Sequence, residues 1–153
     1  MKCLPTLLAC LAIGSAHADE RPLFLPFDLS LGGEKAEMAD GNDLFAQIDK
    51  PVKPDAVLEL DAEVPMLIVN AFPCKEDGTV VETQAAAIIF AKETKQVKLS
   101  DTMDKKKLPP GNYLANVVAN GKTARIVFQV GESEKKVDFS KILGFLKKKA
   151  SGE

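Results

Sequence analysis

Carboxylates are the reactive groups in best supply. Asp61 and Glu63 stand two residues apart, which on a strand puts both on one face, as the general acid and base of a glycosidase would sit. Their alternation with Leu58, Leu60 and Ala62 also fits a plainer role, the solvated face of a half-buried strand. The Asp40-Gly41-Asn42-Asp43 loop offers oxygen ligands that suit calcium. It lacks the EF-hand spacing and the terminal bidentate glutamate, and helix capping accounts for it as well. Cys74, following Pro73 at an expected strand end, is either an exposed thiol able to join two chains or a small apolar residue tucked under a turn.

Other chemistry is thinly provided. The one histidine, His17, falls in a stretch with the form of a secretory signal peptide, residues 1–18. Lys2 precedes an apolar run from Leu7 to Ile13, and Ala16-His17-Ala18 is a small-x-small end. Cleavage near Ala18 is expected, giving a periplasmic or secreted product of bacterial type. Leu7-Leu8-Ala9-Cys10 is also faintly similar to a bacterial lipobox, which would instead leave Cys10 as a lipid-anchored N-terminus. Beyond the leader no histidine or tryptophan remains, and Cys74 is the one cysteine, so an internal disulfide is excluded. An imidazole relay and a histidine or thiolate zinc site go with them. Met38, Met66 and Met103 are scattered, with no histidine to complete a copper site. Gly32-Gly33 lacks the Lys-Ser/Thr of a phosphate loop. No catalytic residue, cofactor or metal is expected.

Charge narrows the partners. One of the 20 basic residues, Lys2, and none of the 22 acidic ones lies in the leader, so the remainder carries a formal −3. Such a chain has no electrostatic reason to hold a nucleic-acid backbone. Acids crowd residues 34–63, while lysines cluster at 105–107, 135–136 and 147–149. After the leader no stretch approaches the ~20 apolar residues of a membrane span.

The elements that must position these groups are mostly β. Residues 19–55, broken by Pro22, Pro26, Pro51 and Pro54, read as a loosely structured N-terminal segment with an edge strand or a short helix. Asn42 and Asp43 would cap that helix over Leu44, Phe45 and Ile48, and Pro51 would stop it. Residues 56–131 read as the β core. The alternation at 58–63 predicts a strand ended by Pro65, and the apolar run from Met66 to Phe72 a strand buried on both faces. Residues 79–92 fit either helix or strand, and strand is the expectation. Asn120-Gly121, the preferred type I′ pair, predicts a hairpin joining 112–119 to 122–130. In the charged tail 132–153, Phe139, Ile142, Leu143 and Leu146 recur at helical spacing and predict an amphipathic helix over 138–149. Its stripe is expected to dock on the domain, the alternative being a membrane or partner surface.

Leu108-Pro109-Pro110-Gly111-Asn112-Tyr113, entering the hairpin, resembles the tyrosine corner of immunoglobulin-like and fibronectin-like sandwiches. The stretch 106–131 is also similar to the hairpin that ends many bacterial secretion-tail domains. The resemblance implies an all-β fold, an immunoglobulin-like β-sandwich with a short C-terminal amphipathic helix. It gives Tyr113 a structural role, as the type I′ turn gives Asn120 and Gly121. With the catalytic inventory missing, the expected function is a secreted, non-enzymatic module that binds another protein, extracellular or on a cell surface. Cys74, Phe139, Ile142, Leu143 and Leu146 are its candidate interaction residues. The alternatives are a carboxylate-dependent hydrolase and a structural envelope protein.

Overall fold

One strand, β5 (Val57–Cys74), organises the molecule. The computed structural model describes residues 21–153; the expected leader, with His17, Cys3 and Cys10, lies outside the described residues. Before β5 come four short strands, β1 (Leu29–Leu31), β2 (Glu34–Lys35), β3 (Glu37–Met38) and β4 (Ala46–Gln47). After it come β6 (Ala87–Lys98), β7 (Gly111–Ala119), β8 (Lys122–Val130) and the helix α1 (Ser140–Ser151). The class is all-β with one C-terminal helix. The strands run in the order β2-β1-β5-β7-β8-β4-β3, with β6 on the other edge of β5, and the sheet curls nearly into a barrel.

Curling is possible because β5 serves two walls. Its first half pairs with β1, its second half with β7, and β6 follows it along the opposite edge. The register with β6 shifts between Glu59 and Val64, an irregularity of the kind that bends a strand and sharpens its twist. Pro65 was expected to end the strand and does not. It stands beside the irregularity, where the ladder is already interrupted and a missing N–H costs little. Between the Val64–Thr94 and Met66–Lys92 pairs, Glu93 takes a left-handed φ of 49°.

Alternation fills the inside. Leu67, Val69, Ala71, Ile89, Val117, Ala124, Ile126 and Phe128 are all buried in one apolar cluster. Tyr113 joins them at 3% exposure, its ring stacked on Phe128 at 5.6 Å and its hydroxyl donating to the Pro109 carbonyl at 2.6 Å. Asn120 and Gly121, both at positive φ, turn β7 into β8.

A second cluster lies outside the sheet. Phe139, Ile142 and Leu146 of the tail pack with Leu114, Val127 and Phe45, and Leu143, Phe72 and Cys74 border them. Burying each large apolar side chain stabilises the docked helix by about 1.5–3 kcal/mol. The helix runs Ser140–Ser151 rather than 138–149, a displacement of two residues. Asp138 lies outside it and accepts the Ser140 N–H at 2.9 Å, a bond that holds its carboxyl below the ordinary value. Gly152, at φ 80°, closes the other end, and Lys148 and Lys149 occupy the last turn.

Three further expectations are corrected. Residues 19–55 are not loosely structured where described: four strands form, and Leu29, Leu31, Phe45, Ala46 and Ile48 are buried. No helix follows Asn42. Its Oδ1 accepts the N–H groups of Leu44 and Phe45, as a cap does, but the chain then extends so that Ala46 and Gln47 pair in parallel with Ile126 and Val127. Of residues 79–92, only those from Ala87 onward are strand. The preceding loop lies so close to α1 that a Cβ on Gly78 would come within 2.4 Å of the Lys141 backbone.

Candidate functional site

The groups singled out for chemistry are not brought together. Asp61 and Glu63 are both exposed where β5 leaves its register. Asp61 borders two shallow recesses of about 310 and 220 Å³, and Glu63 borders neither. Asn42 is buried with its side chain committed to its own turn, since its Nδ2 also donates to the Phe45 carbonyl at 3.0 Å. The ammonium of Lys147 donates to the Gly41 carbonyl at 3.1 Å, where a calcium ion would need an oxygen. Among the described residues no three His, Cys, Asp or Glu side chains gather as metal ligands. Every buried side-chain nitrogen and oxygen there has a hydrogen-bond partner.

Cys74 is half-buried at the end of β5 and, among the described residues, in no disulfide. Burial pushes its thiol up to about 11, against a smaller opposing effect of the Leu114 backbone. At neutral pH it is a protonated thiol, and the thiolate is the nucleophile.

What the fold does assemble is a surface. Cross-strand partners share a face, so the registers place Phe90, Ile68, Val118 and Thr123 in one row across β6, β5, β7 and β8. The next row holds Ile88, Asn70, Asn116 and Arg125, and the one beyond it holds Phe72, Leu114 and Val127. That third row is the one α1 covers. The first two are left uncovered on the β6 side, where Ile88 is 43% and Phe90 46% exposed, with Met66 beside them at 46%. This corrects the expectation that Met66 to Phe72 is buried on both faces: Leu67, Val69 and Ala71 are, but the outward residues are not.

At the β8 end the same face deepens into a recess of about 1050 Å³. One wall is the segment Arg21–Pro26, which turns at Leu23 and Phe24 as the Leu25 N–H donates to the Pro22 carbonyl, and is held by the Arg125 N–H donating to the Phe24 carbonyl at 2.9 Å. The other is Asn116, Lys122, Thr123 and Arg125. The Arg125 guanidinium lies 5.4 Å from the centre of the Phe24 ring, within cation–π range. Glu82 stands between Arg125, 3.5 Å away, and Lys149 of α1, so the tail helix is tied to the margin of the recess.

Among the expected interaction residues, Phe139, Ile142 and Leu146 are spent on the chain's own sheet, and Leu143 is partly covered there. Ile88, Phe90 and Arg125 went unmarked in the sequence. The signal available was weak: an apolar run reads the same whether its second face is covered or open. Among the described residues no helix is long and apolar enough to cross a membrane. Compared with protein-family models, curated proteins and solved structures, the chain matches none.

Proposed function

We propose that the protein is a secreted, non-enzymatic binding module that holds another protein against the outer face of β6, β5 and β7. The observation that carries the reading is the cluster of Met66, Ile88 and Phe90, three large apolar side chains each more than two-fifths exposed on one continuous face. Soluble domains rarely leave such neighbours open to water without a use for them. Secretion rests on the signal-peptide pattern of residues 1–18. An immunoglobulin-like sandwich is the finer form of the fold we favour. It is supported by the way β5 and β6 bend through two walls and by the Tyr113–Pro109 hydrogen bond at the foot of β7.

The test is capture from the native extract by immobilised protein, comparing wild type with an Ile88→Asp/Phe90→Asp double variant. Both positions are exposed, so the variant should keep its melting temperature. A saturable protein partner retained by wild type and lost by the variant is expected. A partner held equally by both would remove this face from the account.

A further inference from the structure

We infer that the recess between Arg21–Pro26 and the β7–β8 hairpin receives a carboxylate of an acidic peptide segment of the partner, so that the docking surface reads an acid and an apolar residue together. The inference rests on the binding role proposed for the outer face, and names the chemistry of what it binds.

Charge is the first ground. Acids outnumber bases in the chain, yet the recess is lined by Lys122 and Arg125, with Arg21 beside them paired to Asp28 at 3.3 Å, and by no carboxylate. Availability is the second. Lys122 makes no ion pair among the described residues. Arg125 has one long contact, 3.5 Å to Glu82, and Glu82 is also held by Lys149. Among the described residues a guanidinium with five N–H donors is thus largely unspent, and the Phe24 ring lies 5.4 Å from it. Shape is the third: Pro22, Leu23, Phe24 and Pro26 give the recess an apolar wall that suits a peptide's carbon skeleton, and Asn116 and Thr123 offer polar partners for its backbone.

Continuity sets the spacing. From Arg125 or Thr123 on β8 to Ile88 or Phe90 on β6 the face crosses three inter-strand steps. At about 4.8 Å each these make roughly 14 Å. An extended chain covers that in about four residues. The favoured ligand therefore carries Asp or Glu about four residues from a large apolar side chain.

Selection of phage-displayed random dodecapeptides on the immobilised protein tests this directly. Wild type should enrich sequences with an acid and an apolar residue at about that separation. A Lys122→Gln/Arg125→Gln variant should lose the acid and keep the apolar preference. Synthetic selected peptides should then bind this variant about tenfold or more weakly, as loss of a charge-assisted hydrogen bond implies. An Ile88→Asp/Phe90→Asp variant should lose the apolar preference. Melting curves establish that each variant is folded, and Lys122→Gln alone, at an exposed position, provides a variant that removes no internal contact. Enrichment of apolar residues alone, or of acids equally on wild type and the Lys122/Arg125 variant, would overturn the inference and leave the docking face standing. No enrichment on any protein, or enrichment indifferent to both sets of substitutions, would overturn both.

Discussion

Cys74 offers the most quantitative check on how the tail packs. Its thiol sits beside the cluster formed by α1 and the outer face of the sheet, and burial there pushes it from 9.0 up to about 11. In the unfolded chain the same thiol titrates near its ordinary value. Below about pH 9 both states keep the proton and the group contributes no pH dependence. Between about 9 and 11 the unfolded state loses its proton first, binds fewer protons than the folded state, and stability falls as pH rises. At about pH 10 the linkage relation gives a loss of about 1.4 kcal/mol, and the partial exposure of the sulfur reduces this to about 1 kcal/mol. Urea unfolding of wild type and Cys74→Ala at neutral pH and at about pH 10 measures it. The substitution shifts stability at both pH values, so the informative quantity is the difference in slope. Wild type should lose about 1 kcal/mol more than Cys74→Ala over that interval, and thiolate absorbance should appear late in a native titration. Equal slopes, or a native thiol titrating near 9, would mean that the tail does not shield this end of β5.

Tyr113→Phe should cost on the order of 1 kcal/mol by freeing the Pro109 carbonyl, and Tyr113→Ala roughly 3–5 kcal/mol through the cavity left beside Phe128, both read from urea midpoints. Leu146→Ala should cost about 2–5 kcal/mol, and truncation after Gly131 should lower the melting temperature and expose Phe45, Leu114 and Val127 to a hydrophobic dye. An unchanged melting temperature on truncation would show the helix to be a free arm. At neutral pH Ellman's reagent should modify native Cys74 slowly and the urea-unfolded thiol at once, since the folded group is half-buried and protonated.

Local chemistry made some elements legible and hid others. Asn120-Gly121 announces its hairpin because both residues accept positive φ, and the Leu58/Leu60 alternation announces the start of β5. Phe139, Ile142 and Leu146 announce a helix face, and that face is buried as its spacing implies. Asn42 misleads because its side chain makes the same hydrogen bonds ahead of an extended segment as ahead of a helix. What decides between them is the parallel pairing with Ile126 and Val127, some 80 residues away in the chain. Pro65 misleads for a related reason, since the irregularity that accommodates it belongs to the pair β5 and β6 and not to either strand alone. The candidate site was the least legible part. Ile88 and Phe90 look like core residues, and only the position of α1, one row away across the sheet, leaves them open. Arg125 gains its meaning from Phe24, far earlier in the chain, which comes to lie beside it.

Photo-crosslinking in the cell asks whether another protein sits on the outer face of β6, β5 and β7. The benzoyl-phenylalanine probe goes at position 90 and, as a control, at Glu37, an exposed residue of β3, which pairs with β4 and with none of β5, β6 and β7. A discrete adduct with another protein from position 90, not formed from position 37 and suppressed by Ile88→Asp in the same chain, is the predicted result. Irradiation that yields no adduct from position 90, or the same adducts from both positions, would contradict the assignment of this face as the docking surface.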